Sequence, residues 1–320
     1  YYENATGTRL LDSTISKNGY AYNTDLSAFG SLKFVKPRWT AQVGARYTHN
    51  KLYGSAVNPS LWFLHRVHKR LQWRSSIASG YRTPSIKELY FDFIDINHQV
   101  TGNQNLKPER SVNIKTELQW DVLKNNQTAL KFSSGGFYND VKDRISLTAL
   151  GPVHYEYRNV ENWKTMGVTA KLQFELENLG YLTLDGIYTS YYNTFSSSDA
   201  NLPSSIWSFD FTSDVTFYLK KDKLHWNSWL KRTGKTPFYI SQGDAISEEI
   251  TPAWTMLNSS ISTFFLKKKL ILQIGCKNIL DVRQFVANLG NGIHVEQANQ
   301  QALHWGRTGF LQLKWSLDTK

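Results

Sequence analysis

Between residues 111 and 122 the chain alternates strictly. Val112, Ile114, Thr116, Leu118, Trp120 and Val122 stand opposite Ser111, Asn113, Lys115, Glu117, Gln119 and Asp121. A period of two places each set on its own face of a β-strand. The same pattern sets Trp39, Ala41, Val43, Ala45 and Tyr47 against Thr40, Gln42, Gly44 and Arg46, and Val168, Ala170, Leu172, Phe174 and Leu176 against Thr169, Lys171, Gln173 and Glu175. No stretch approaches the ~20 apolar residues that a transmembrane helix requires. The chain is therefore expected to be all-β, with about thirteen antiparallel strands of roughly ten residues each.

The connections fall into two alternating classes. Short ones are expected at 36–38, 124–126, 178–180, 220–223 and 267–269, and long ones at 82–110, 140–154, 195–203, 233–252 and 281–305. A medium loop is expected over 50–60, and residues 1–19 are polar and unpatterned. Short turns at one end and long loops at the other are the organisation of outer-membrane barrels. With 17 Tyr, 17 Phe and 11 Trp but a mean hydropathy of −0.44, the composition suits a barrel with an apolar outside, a polar lumen and aromatic girdles. On this reading Val112, Ile114, Leu118, Trp120 and Val122 face lipid, and Lys115, Glu117, Gln119 and Asp121 face the lumen. Gly135-Gly136 inside a strand suggests the close approach of another backbone or a barrel bend.

The formal charge of +11 is spread over polar faces and turns rather than gathered in a stripe, so nucleic acid is not the expected partner. A basic lumen for an anionic ligand, or contact with anionic surface lipid, suits it better. The single cysteine, Cys276, excludes an intramolecular disulfide framework. No nucleophile, base and orienter are spaced as a hydrolase needs, and no phosphate-cradling glycine loop joins a strand to a helix. No enzyme is expected. His65 with His68 reads as a solvated pair, and Asp92 with Asp95 as ordinary loop carboxylates.

One stretch breaks the alternation, residues 80–111, GYRTPSIKELYFDFIDINHQVTGNQNLKPERS. Residues 85–90 read as a helical turn, with Ser85 and Glu88 spaced as a capping box behind Pro84. The run Tyr81-Arg82-Thr83-Pro84-Ser85-x-x-Glu88-Leu89-Tyr90, followed by Gly102-Asn103-x-x-Leu106-Lys107-Pro108-Glu109-Arg110-Ser111, resembles the central barrel motif of TonB-dependent outer-membrane receptors. Further pieces follow in that family's order: Phe137-Tyr138-Asn139-Asp140 with Ile145, then Tyr157-x-Asn159 with Gly167. Last come Asn278-Ile279-Leu280-Asp281 and Gly306-Arg307.

The resemblance implies an antiparallel transmembrane β-barrel of about 22 strands, of which residues 1–320 are the C-terminal portion, without the plug domain and the first strands. It implies the outer membrane of a Gram-negative bacterium, with lipid and lipopolysaccharide around it. It also implies uptake of a scarce metal chelate, energised through the plug by the TonB–ExbB–ExbD complex, with a surface lipoprotein as a further partner. Haem is the favoured cargo, because His98 lies between the two boxes as an axial-ligand histidine does in haem receptors of the family. Neutral imidazole ligates haem iron, and Arg82 is placed to pair a propionate. Tyr90 and Asn97 in this loop, with His294 and His304 in the last long loop, complete the expected cargo contacts. An iron–siderophore or corrinoid cargo, and a passive porin-like barrel, are the alternatives. No intrinsic cofactor is expected. Tyr81, Arg82, Pro84, Glu88, Leu89, Gly102, Asn103, Leu106, Pro108, Glu109, Asn278, Asp281, Gly306 and Arg307 are expected to build the loops.

Overall fold

The computed structural model describes residues 2–6, 20–95, 99–150, 153–193, 205–221, 223–242, 245–286, 300–302 and 306–316. The chain opens with β1 (Tyr2–Thr6), β2 (Tyr20–Val35), β3 (Trp39–Asn50), β4 (Gly54–His68) and β5 (Leu71–Arg82). A long connection then holds the helix α1 (Ile86–Tyr90) and the short strands β6 (Asp92–Ile94) and β7 (Gln99–Thr101). The main sheet resumes with β8 (Glu109–Lys124), β9 (Thr128–Ala149), β10 (His154–Leu176), β11 (Gly180–Asn193), β12 (Ile206–Lys220) and β13 (Leu224–Thr233). A separate hairpin, β14 (Thr236–Gln242) with β15 (Ala245–Thr251), precedes β16 (Trp254–Phe265) and β17 (Leu270–Lys277). A second small hairpin, β18 (Gln284–Val286) with β19 (Gln300–Ala302), precedes β20 (Thr308–Trp315). Sequence neighbours pair antiparallel along one meander from β1 to β20.

Register turns the alternation of single strands into two continuous surfaces. Leu32, Val43, Leu61, Ile77 and Ile114 are directly paired across β2, β3, β4, β5 and β8, and all are exposed. One residue further along, Lys33, Gln42, Trp62, Ser76 and Lys115 are paired in the same way on the opposite face. An apolar row on one side and a mostly polar row on the other is what a sheet needs when lipid lies on one face and water on the other. Aromatic rings collect near the short turns on the apolar face, where Trp39 stacks on Phe63 at 6.3 Å and Phe217 on Trp226 at 5.7 Å. Among the described residues no helix is long and apolar enough to cross a membrane. The crossing elements are strands.

Five expectations need correcting. Val122 does not continue the outward row, because the register shifts between Asp121 and Leu123. The bulge re-aims the strand, and Leu123, opposite Leu130 and exposed, takes the outward position. Residues 140–149 are not loop. β9 runs 22 residues and β10 runs 23, paired to their outer tips. Beyond the membrane no apolar face is needed, so the alternation stops while the ladder continues. Residues 233–252 likewise contain the β14–β15 hairpin. The connection after β3 is only residues 51–53, since β4 starts at Gly54 and carries Asn58-Pro59 inside it. Finally, residues 2–6 form β1, paired to the outer end of β2. The expected close approach at Gly135 is present, where an added Cβ would lie 2.5 Å from the Thr116 carbonyl oxygen.

The two faces predict opposite tolerance at neighbouring positions. An arginine at the midplane of the lipid face costs about 2–4 kcal/mol. Leu118→Arg is therefore expected to lower the folded fraction in bilayer refolding sharply, whereas Gln119→Arg leaves it near wild type. Gel-shift assays of heat modifiability measure both.

Candidate functional site

The long connection between β5 and β8 is built around one guanidinium. Arg82 and Glu109 face each other as the last pair of the β5–β8 ladder. Arg82 donates through Nε and Nη2 to the two Glu109 oxygens at 2.8 and 2.6 Å, and through Nη1 to Glu88 Oε2 at 2.9 Å. A planar fork matches a carboxylate in this bidentate way. The remaining capacity of Glu109 accepts the Ile145 N–H at 2.7 Å, which ties in the outer part of β9. Burial pushes the Glu109 carboxyl up. The hydrogen bonds from Arg82 and Ile145, with the charges of Arg82 and Arg144, outweigh burial and hold it below its ordinary 4.5. Hydrogen bonding to Glu109, against burial, raises Arg82 in turn.

Glu88 also completes the helix cap. Ser85 N–H donates to Glu88 Oε2 at 2.7 Å, and Glu88 N–H donates to Ser85 Oγ at 3.3 Å, the expected capping box. Capped at its start, α1 buries Ile86 and Leu89 to 1 % exposure. Leu89 packs with Leu106 and Ile145, flanked by Tyr53, Tyr90 and Tyr157. Burial pushes the Tyr53 hydroxyl up to about 12, with Tyr90, Tyr81 and Glu88 adding to the shift. The chain returns across the helix at Gly102, whose N–H donates to Phe91 O at 2.6 Å, while Asn103 N–H donates to Glu88 O at 2.8 Å. A Cβ on Gly102 would sit 2.6 Å from the Leu89 carbonyl carbon and the Tyr90 nitrogen. Only glycine fits that crossing.

Two asparagines bind distant segments. Asn159 accepts the Lys107 N–H at 2.8 Å and donates to Lys107 O at 3.0 Å and Asp143 O at 2.6 Å, which docks the loop's return on the β9–β10 hairpin. Asn50, 0 % exposed, donates to Asn23 Oδ1 at 2.7 Å and Asp25 Oδ1 at 2.8 Å, while its Oδ1 accepts the Leu52 and Tyr53 N–H groups at 2.8 and 3.0 Å. Asn23 donates to Pro84 O at 3.1 Å, and Thr83 donates to Asp25 Oδ2 at 3.1 Å. Sequence reasoning missed Asn23, Asp25 and Asn50. Their only signal was polar residues at strand ends, which is common. A cavity of about 840 Å³ opens on the lumen side below, bordered by Asp25, Arg46, Asn58, Tyr81 and Arg82.

Of the expected cargo contacts, Arg82 borders this cavity with its guanidinium engaged by two carboxylates, and Tyr90 packs on the loop core. Asn97, His98, His294 and His304 lie outside the described residues. His65 stacks on Phe63 at 6.4 Å, and His68 Nδ1 accepts the Arg70 N–H at 3.4 Å. Among the described residues no group of three or more His, Cys, Asp or Glu gathers as metal ligands. The C-terminal motif closes the last loop. Asn278, at φ 52°, exchanges hydrogen bonds of 2.8 and 2.9 Å with Val282, and Asp281 accepts the Arg307 N–H at 2.8 Å just after Gly306. The Arg283 guanidinium, then the Arg307 N–H, hold Asp281 below the usual carboxylate range.

A capped loop folded over a single-sided apolar sheet defines an outer-membrane receptor barrel. The family model described as TonB dependent receptor-like, beta-barrel, matches residues 1–279, and the chain belongs to that family. The iron-regulated outer membrane virulence protein of Vibrio cholerae is 23 % identical over 308 residues, covering 88 % of this chain and 45 % of that protein. The ferric enterobactin receptor of Pseudomonas aeruginosa is 24 % identical over 285 residues, covering 78 % and 36 %. The heme/hemopexin utilization protein C of Haemophilus influenzae is 26 % identical over 164 residues, covering 45 % and 22 %. The solved siderophore receptor PirA of Acinetobacter baumannii superposes with a TM-score of 0.68 at 15 % identity, over 93 % of this chain and 46 % of that one. A mutant ferric enterobactin receptor of P. aeruginosa bound to enterobactin gives 0.65 at 19 %, over 93 % and 46 %. The chain spans less than half the length of these relatives. The protein is an outer-membrane β-barrel.

The clamp predicts a loop that loosens in acid. A carboxylate whose folded pKa lies below its unfolded one stabilises the fold fully above the unfolded value and loses that contribution as pH falls through the folded value. A spin label at Gln104 in the intact receptor should thus stay immobile from neutral pH down to about 4.5 and gain mobility below it. Gly102→Ala should mobilise the same label at neutral pH.

Proposed function

We propose that the intact receptor imports a ferric siderophore across the outer membrane, energised by the TonB–ExbB–ExbD complex through a plug domain preceding the barrel. The observation that carries this reading is the breadth of likeness to iron receptors. The V. cholerae iron-regulated protein and the P. aeruginosa ferric enterobactin receptor match over most of this chain. The chemistry of the outer elements supports it. Phe91 stacks on Phe93 at 6.3 Å beneath the Lys87 ammonium, 5.1 Å from the Phe91 ring, and Arg144 lies 4.5 Å from the Trp163 ring. Cations beside flat rings complement an anionic catecholate–iron complex. Arg82, held by Glu88 and Glu109, then acts as a loop-positioning residue and not as a carboxylate receptor.

Haem is the second reading, supported by the likeness to the H. influenzae heme/hemopexin protein and by a histidine, His98, in the central loop. Parallel titrations of the intact receptor separate the two. Ferric enterobactin is expected to quench tryptophan fluorescence saturably, unchanged by His98→Ala, while haemin gives no specific Soret shift. A Soret shift on haemin binding that weakens in His98→Ala, without siderophore binding, assigns haem instead.

A further inference from the structure

Cations stand at both ends of the barrel, some paired and some without a carboxylate at ion-pair distance among the described residues. At the long-loop end Arg82 pairs with Glu88 and Glu109, Arg158 with Glu156 at 2.7 Å, and Lys164 with Asp140 at 3.8 Å. At the short-turn end Lys36, Arg38, Lys69 and Arg70 have no carboxylate at ion-pair distance among the described residues, while Lys221 pairs with Glu177 at 3.2 Å. Asp222 is the other acidic residue of these turns. A belt of exposed cations therefore borders the apolar face where it meets the aromatic girdle.

The belt contains a built recess. Between the β12–β13 and β16–β17 turns lies a cleft of about 620 Å³, lined by Lys223, Phe264, Phe265, Leu266, Lys267 and Lys268. The two turns are joined by the Phe264 N–H, which donates to Lys223 O at 3.0 Å. Phe265 and Leu266 are exposed, Leu266 by 59 %. Leu266, Lys267 and Lys268 all adopt positive φ, at 51°, 56° and 71°, a conformation that costs non-glycine residues free energy. The tight left-handed turn places an apolar side chain and two ammonium groups on one short rim segment. Lys223 and Lys267 have no carboxylate at ion-pair distance among the described residues.

We infer that this cleft binds the headgroup of an anionic glycerophospholipid from the membrane leaflet at the short-turn end. The lysines meet the phosphodiester, and Phe265 and Leu266 lie along the glycerol and upper acyl chains. Charge complementarity and continuity with the lipid-facing surface select this occupant: a free anion would leave the apolar half of the cleft in water. The site is independent of the cargo, because it lies at the opposite end of the strands from the β5–β8 loop.

The test is native mass spectrometry of the intact receptor with phosphatidylglycerol or phosphatidylcholine added in detergent. Wild type is expected to retain phosphatidylglycerol in preference to phosphatidylcholine, also in excess inorganic phosphate. The triple variant Lys223→Gln, Lys267→Gln, Lys268→Gln should lose affinity for it roughly tenfold or more. The matching Lys→Arg triple variant should keep it, as should Lys33→Gln with Lys115→Gln on the lumen face. Heat modifiability confirms that each variant folds. Equal retention of the two lipids, release by inorganic phosphate, full retention by the Gln triple variant, or equal loss in the lumen variant would each overturn the assignment.

Discussion

In hydrocarbon a backbone N–H or C=O without a partner costs several kcal/mol, so a spanning sheet has to keep its ladder unbroken. The rest of this molecule follows from that constraint. The constraint makes register decisive, even though Pro59 inside β4, opposite Ala45, donates nothing to the ladder. Once β2 to β8 pair as they do, Leu32, Val43, Leu61, Ile77 and Ile114 form one outward row and their neighbours form the inward one. The hydrophobic effect contributes little to a closed core here, because the apolar face is turned to the solvent it prefers.

Among the described residues the buried apolar cluster lies outside the membrane, under the β5–β8 loop. Ile86, Leu89, Leu106 and Ile145 are buried there, together with the polar hub of Asn50. The loop behaves as a small soluble domain carried on the barrel rim, with a capped helix, an ion-pair clamp and its own apolar cluster. A fully buried amide such as Asn50 is tolerable because both its oxygen and its nitrogen are hydrogen-bonded.

The thirteen longer strands of the meander were legible in sequence because a lipid face imposes apolar residues at every second position. The same reason hid the rest. Residues 140–149 leave the membrane and no longer need the pattern, so a paired strand reads as a loop. The Val122 bulge is a one-residue event that alternation alone does not place. In the central loop the capping box and the glycine crossing were visible as motif letters, and the structure gives them physical work: Glu88 serves cap and clamp together, and Gly102 admits a backbone at contact distance. Asn23, Asp25 and Asn50 escaped notice because, apart from the Leu52 and Tyr53 N–H groups, their partners lie 25 to 61 residues away, beyond any local pattern.

β7 does not pair with either strand that flanks its own loop. It joins the tip of β10 in parallel, Gln99 opposite His154, and so bridges over β8 and β9. With the Asn159 and Ile145 bonds, this makes the loop and the tall β9–β10 hairpin a single mechanical body. A load applied at α1 is shared by two strand pairs instead of one hinge, and the stiffness of the outer vestibule is set by hairpin length. Lengthening or trimming β9 and β10 by register pairs would therefore change how far the mouth of the barrel flexes without altering a single residue in the loop itself.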